Sequence, residues 1–350
     1  MEPAEHVTDL LPTTVIGSWP QPDWLVDRAL LTAKGVPRVL VGEVWRVAPE
    51  HRDEAIQAAT LTAIRDQEQA GIDVITDGEI GRESYFNHFA TSLAGVDPQH
   101  HGQAVNRGGG ISSVPLVNGP IRREHPVELE AARFLRANTD RMAKVTVPGP
   151  FTLSQLAQNE YYPDQRELAL AYAAAVNEEL ADLAGAGIDV LQVDEPYLQA
   201  NAERAREFAV EAIAAAVDGI EATTVLHTCY GYAVYIKNKS GGYPFLAELA
   251  GGPVDQIAIE AAQPRLPLDV LDQLGDVTIV LGVLDLGTAE VESAEDVADR
   301  LRAALDHVAP GRLVAAPDCG MKFLPRQVAV AKCRAMVEGA ARVRAELAAG

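Results

Sequence analysis

Eight times along this chain a short run of β-branched and apolar residues gives way to a longer stretch with helical spacing, and that alternation predicts a parallel sheet with helical returns. The runs fall at 13–16, 72–76, 145–147, 188–193, 223–226, 256–259, 278–283 and 313–316. Helical spacing covers about 50–70, stopped by Gly71, and then 127–141, 165–184, an Ala-rich stretch around 208–217, and 325–347. Eight such units predict an α/β chain closed into a (β/α)8 TIM barrel, with residues 1–350 as one domain. A doubly wound sheet is the alternative, but it needs a glycine-rich phosphate loop after the first run, and Gly17-Ser18-Trp19-Pro20 is not one.

The rhythm breaks between the second and third runs, at about 80–143. This segment holds Gly108-Gly109-Gly110 and an apolar stretch, Val114 to Ile121, interrupted by Asn118-Gly119. Asn-Gly between apolar residues signals a hairpin turn, so the segment reads as a hairpin-containing insertion after the second strand.

Charge narrows the possible partners. Fifty acidic residues against 29 basic ones give a formal net charge of −21, which repels nucleic acid and anionic membrane surfaces. No apolar run approaches the ~20 residues of a membrane span. The start, Met1-Glu2-Pro3-Ala4-Glu5, has no basic region followed by an apolar one, so a cytoplasmic location is expected. Three cysteines, Cys229, Cys319 and Cys333, are too few and too odd in number for a disulfide framework, which leaves thiols for metal or chemistry.

Barrel enzymes place their sites at the C-terminal ends of the strands. Here those ends carry Ser18, Glu79, Asp194, His227, Cys229, Glu260, Asp285 and Cys319. His227 and Cys229 are two residues apart on an extended chain, so their side chains share a face, and nitrogen with sulfur suits zinc. Closing the barrel brings the fifth, sixth and eighth strand ends to one rim, so that His227, Cys229, Glu260 and Cys319 make a four-ligand zinc site. One such residue alone reads as buried and inert; four at equivalent strand ends read as a centre. Cys333, on the closing helix, reads as packing.

The motifs Ile16-Gly17-Ser18, Asp77-Gly78-Glu79, Pro148-Gly149-Pro150, Asp194-Glu195-Pro196, His227-Thr228-Cys229, Ile259-Glu260 and Pro317-Asp318-Cys319-Gly320 occur in this order along nearly the whole chain. In these the sequence resembles the catalytic half of cobalamin-independent methionine synthases, zinc barrels that methylate homocysteine. The resemblance implies zinc on His227, Cys229, Glu260 and Cys319, and an amino acid substrate held by Ile16, Ser18, Glu79 and Asp194. Those roles agree with the chemistry. A free thiol ionises near pH ~8.5, whereas a metal-bound thiol is deprotonated at neutral pH. Two cysteine thiolates and a carboxylate overcompensate a 2+ charge, so an added substrate thiolate remains nucleophilic. Glu260, a hard ligand among soft ones, is the one to loosen when that sulfur arrives. Carboxylates at Glu79 and Asp194 suit an ammonium, and Ser18 suits a carboxylate.

Departures from the family pattern concern the methyl donor. The chain accounts for one barrel, where full-length members carry a second. Where the family has Asp-Ile-His after the seventh strand, this chain reads Asp285-Leu286-Gly287, and 151–162 contains no tryptophan to stack on a pterin. Asp285 and His88 are the remaining acid candidates. Methyltetrahydrofolate needs an acid to protonate its leaving nitrogen, so a donor that needs none, such as a methylated corrinoid, is expected to serve better. Two other readings stay open: alkylation of a different thiol, as in epoxyalkane:coenzyme M transferases, and a non-catalytic barrel with a structural zinc. The carboxylates argue against a sulfonate-bearing thiol, and Glu260 argues against a purely structural site.

Overall fold

In the computed structural model, residues 10–35, 39, 41–84, 86–105, 110–239 and 242–349 are described. Seven parallel strands form one curled sheet in the order β1 (Val74–Thr76), β4 (Met142–Pro148), β6 (Val190–Asp194), β7 (Thr223–Thr228), β8 (Gln256–Ile259), β9 (Thr278–Leu284) and β10 (Leu313–Pro317). A second, three-stranded sheet contains β2 (Ala94–Val105), β3 (Ile111–Arg122) and β5 (Gln158–Asn159). The first predicted run contributes only two bridges, Thr13 to Ala315 of β10 and Thr14 to Val74 of β1, so it touches both edges of the seven-stranded sheet. Its shortness has a cause. Pro12 has no N–H to give, and the Thr13 N–H and hydroxyl both donate to the Asp73 carboxylate at 2.8 Å instead of extending a ladder. The arrangement is TIM-barrel-like.

Helices return between the strands close to where their spacing predicts. The helix Arg52–Ala70 ends on Gly71, whose φ of 88° lets its N–H reach back to the Gln67 and Glu68 carbonyls. Gln165–Gly185, Ala202–Val217 and Arg326–Ala349 bury their Ala- and Leu-rich faces against the outside of the sheet. Cys333 is fully buried in the last of these, as its spacing predicts. No helix among the described residues is long and apolar enough to cross a membrane.

Strand alternation decides what lies inside the curl. On β6 the odd residues Leu191 and Val193 join the outer core, while Val190 faces inward with Val74, Val225, Ala258, Val280 and Val314. Two residues further on, the same inward parity carries Lys144 to Thr146, Val190 to Gln192 and Asp194, Val225 to His227, and Ala258 to Glu260. The apolar layer below therefore dictates a polar layer above it.

The insertion is built differently from its sequence signal. Asn118-Gly119 does not turn a hairpin; both lie inside β3, which pairs antiparallel with β2. The ladder is irregular there. Asn118 Nδ2 donates to Asp97 Oδ2 at 2.8 Å, and a Cβ on Gly95 (φ 89°) would come within 2.4 Å of the Pro120 carbonyl oxygen. The dipeptide serves a bulge, which also favours residues tolerant of close backbone approach. Of the glycine run, Gly108 and Gly109 lie outside the described residues.

Candidate active site

The ends of β7 and β10 bring His227, Cys229 and Cys319 together, with one potential ligand atom of each lying within 4.8 Å of the others, all buried. The two sulfurs are 4.0 Å apart. That is far beyond a disulfide bond and close to the ~3.8 Å expected for two sulfurs sharing one tetrahedral zinc at ~2.3 Å. His227 Nδ1 lies 2.9 Å from Asp194 Oδ1, while its buried Nε2 has no hydrogen-bond partner. A carboxylate on one ring nitrogen and an orphaned second nitrogen aimed at two sulfurs is the pattern of a metal-ligating histidine. Burial disfavours the imidazolium, but the Cys229 sulfur and Asp194 outweigh it and raise His227 to about 10. The Cys319 thiol is pushed well up, by its contact with Cys229 and by burial. This donor set fits a soft-to-borderline divalent metal.

Glu260 follows β8 and is fully buried, but its carboxylate faces elsewhere. Oε2 sits 2.5 Å from Lys239 Nζ, and Oε1 accepts from the Tyr230 N–H at 3.2 Å. It stands outside the His–Cys–Cys group of ligand atoms. Burial first, then the Cys229 sulfur, raises its pKa to about 8 against the pull of Lys239.

Beside this group lie the residues expected to hold substrate. Glu79 is a non-glycine residue at φ 52°, a strained conformation of the kind retained at functional sites. Its Oε1 accepts from Thr146 Oγ1 at 3.0 Å, and its buried Oε2 has no partner. Burial lifts its pKa to about 7, opposed by Arg82 and reinforced by Asp194. Ser18 Oγ lies 3.3 Å from the Tyr232 hydroxyl, and a Cβ on Gly320, next to Cys319, would come within 2.2 Å of Ser18 Oγ. A side chain at this position would displace the Ser18 hydroxyl from its place beside Tyr232. Ile16, by contrast, packs its side chain into the interior apolar layer with Val74 and Val314.

The two acid candidates are not drawn to the metal group. Asp285 Oδ1 accepts from the Gly287 N–H at 2.7 Å, within its own loop. His88 Nε2 lies 4.0 Å from Glu128 Oε1, and burial together with the Arg82 charge holds its pKa below the ordinary value, the wrong direction for an acid at neutral pH.

Sequence reasoning missed a supporting layer. Glu195 is fully buried and clamps the start of the helix Pro150–Gln155, accepting from Phe151 N at 2.8 Å, Thr152 N at 2.7 Å and Thr152 Oγ1 at 2.6 Å. Asp318 does the same for the loop after β8, accepting from the backbone N–H of Ala261, Ala262 and Gln263. Within the barrel, Lys144 Nζ donates to Gln192 Oε1 at 3.0 Å, and Gln192 Nε2 donates to Asp194 Oδ1 at 2.7 Å. Burial lowers Lys144 to about 7, with Asp194 and Glu79 opposing the fall. A lysine with inward parity in a strand was a legible signal; a buried Lys239 in the patternless stretch 236–242 was not. Outside the rim, a cleft of about 1330 Å3 runs between β2 and the helix Ala202–Val217, and both Tyr197 and Tyr230 line it.

A TIM-barrel-like sheet that sets a His–Cys–Cys cluster able to hold a metal ion beside two buried carboxylates at one rim is a framework suited to a group-transfer enzyme. Residues 11–342 match the family described as cobalamin-independent synthase, catalytic domain, and the chain belongs to that family. It is 36% identical over 339 residues to a methionine synthase of Sulfolobus acidocaldarius, covering 97% of this chain and 94% of the relative. It is 34% identical over 343 residues to a methionine synthase of Saccharolobus solfataricus, covering 97% and 96%. Among solved structures, a B12-independent methionine synthase from Shewanella sp. W3-18-1 in complex with selenomethionine superposes with a TM-score of 0.88 at 31% identity, covering 97% of this chain and all of that one. The family and these relatives support a methyltransferase that acts in methionine biosynthesis.

Proposed function

We propose that the chain is a zinc-dependent S-methyltransferase that converts homocysteine to methionine. The observation that carries this reading is the orphaned His227 Nε2 facing Cys229 and Cys319, with Asp194 behind the imidazole and Glu79 Oε2 unpartnered beside it. His227, Cys229 and Cys319 would hold the zinc and Glu260 would be its fourth, exchangeable ligand. When bound, zinc lowers the pKa of the substrate thiol and keeps the thiolate nucleophilic. The rest falls to the chain. Glu79 and the free oxygen of Asp194 bind the ammonium, Ser18 binds the carboxylate, and Asp194 keeps the His227 tautomer fixed. We read the fold as a (β/α)8 barrel with Thr13-Thr14 as its eighth staved position, and residues 1–350 as one domain carrying the 80–143 insertion.

For the donor, the reading favours a methylated corrinoid over methyltetrahydrofolate. Asp285 is held in its own loop, His88 is biased toward the neutral form, and Gly287 has no proton to give. A missing acid typically costs 10²–10⁴-fold. The test is methionine formation from homocysteine with zinc-loaded protein and a panel of donors. Methylcobalamin should outperform methyltetrahydrofolate, free or polyglutamylated, by at least ~100-fold. Rapid turnover with the folates alone would overturn the donor assignment, and absence of both zinc and methionine formation would overturn the whole reading.

A further inference from the structure

Lys239 is a buried cation that the reaction above does not use. Its ammonium and the Glu260 carboxylate are both completely shielded from solvent and lie 2.5 Å apart. Glu260 Oε1 is taken by the Tyr230 N–H, and Tyr230 directly follows Cys229. The Glu260 backbone is anchored separately, since its N–H donates to the Tyr243 hydroxyl at 2.7 Å. The main chain of Glu260 is thus fixed, while each of its carboxylate oxygens has a partner other than the sulfurs, which lie close enough to act on both Glu260 and Lys239. Burying two ions costs several kcal/mol apiece, and such a pair is often no more stabilising than apolar packing. Its place beside the His–Cys–Cys group points to another role.

Charge supplies one. Two thiolates and one carboxylate already exceed a 2+ ion by one negative charge, and a substrate thiolate would add another. Resting on the zinc reading above, we propose that Lys239 is the positioning residue that receives Glu260 when the substrate sulfur takes its place on the metal. Were zinc held there, the substrate thiol would lose its proton to buffer as its sulfur took the place of Glu260, and the Glu260 carboxylate, keeping its charge, would pair with the Lys239 ammonium. No electrons are transferred, and no covalent bond changes apart from the S–H.

The test uses the full chain loaded with zinc, comparing wild type, Lys239→Met and Lys239→Gln. Three quantities are read: the rate of zinc transfer to a chromogenic chelator, the homocysteine affinity by calorimetry, and the affinity for norleucine, which has the amine and carboxylate but no sulfur. With Glu260 deprived of its alternative partner, zinc transfer slows and homocysteine binds about 10- to 100-fold more weakly, the range seen when groups supporting metal ligands are removed. Norleucine affinity stays at the wild-type value. Folded, zinc-bound Lys239→Met with unchanged homocysteine affinity overturns the proposal, and so does a variant that loses norleucine and homocysteine equally, which marks a structural role. If Lys239→Met does not fold, Lys239→Gln, which keeps a hydrogen-bond donor but no charge, gives the same readings. A wild-type chain that takes up no zinc overturns the metal assignment itself, an outcome distinct from a zinc-bound wild type whose variants behave like it.

Discussion

The rim of the sheet has two sectors that follow different rules. One, at the ends of β7 and β10, is soft: an imidazole and two thiols with ligand atoms within 4.8 Å of one another. The other, around Glu79 and Asp194, is hard: carboxylates, hydroxyls and backbone donors, with Glu79 held at a strained φ. As the proposed metal centre, the soft sector is expected to tolerate no change of atom type, since coordination depends on it. The hard sector works through charge and is graded. Asp194 joins them, since the oxygen that lies 2.9 Å from His227 Nδ1 belongs to one of the carboxylates proposed to bind the substrate ammonium.

The largest effect is expected in the soft sector. Cys319→Ser should reduce zinc from one per chain to near none by elemental analysis and abolish methionine formation. Full zinc content in that variant would break the distinction. Asp194→Asn should come next and register in both sectors. It weakens metal retention about 10- to 100-fold by disturbing the histidine's partner, and it costs roughly 2–5 kcal/mol of amino acid affinity by removing a buried charge opposite the ammonium. Loss of amino acid affinity with unaltered metal retention would show that the sectors are independent.

Glu79 gives a smaller effect confined to the hard sector. Its carboxyl is raised to about 7 by burial, so it is protonated and unable to pair with an ammonium at pH 6, and ionised at pH 8. Norleucine affinity should therefore rise as pH increases through about 7, and Glu79→Gln should flatten that rise without lowering zinc content. The same shift has a stability consequence of opposite sense. A folded pKa above the ordinary 4.5 means the folded state holds the proton longer, so this group favours folding most below about pH 4.5 and loses that contribution as pH rises through 7. Binding and stability pull Glu79 in different directions, as expected for a functional carboxylate in a buried site.

The two sectors were also legible in the sequence to different degrees. Strand parity is rigid, so Val225 inward fixes His227 inward, and the apolar run alone locates the imidazole two residues on. Asp194 follows from Val190 by the same parity, four residues on. What depended on loops was less readable. Asn118-Gly119 fits a turn and a bulge equally well, and pairing with β2 decided between them. Glu195 and Asp318 sat inside recognised motifs, yet their work, clamping the loops beyond their own strands, depends on neighbours that strand order brings together. Glu260 was legible as a strand-end carboxylate, but its pairing with Lys239 was not, because no pattern marks that lysine.

The smallest effect on the rim is expected from the third cysteine, which makes it the sharpest check that position, and not residue type, defines the soft sector. Cys333 is as buried as Cys229 and Cys319, and its thiol is likewise pushed up, in this case by burial opposed only by Lys332. It lies on the helix Arg326–Ala349 among core side chains and belongs to no group of three or more potential metal ligands among the described residues. Cys333→Ser buries a more polar hydroxyl among apolar side chains, its ready acceptor being the carbonyl one helical turn back, at a cost of about 1–3 kcal/mol, so the melting temperature should fall by a few degrees. Zinc content and homocysteine affinity should remain at wild-type values, because the ring nitrogen, the two sulfurs and the carboxylates keep their places. A Cys333→Ser protein that folds but loses zinc would show that the metal is drawn from outside the β7–β10 rim, and the division between the sectors would have to be redrawn.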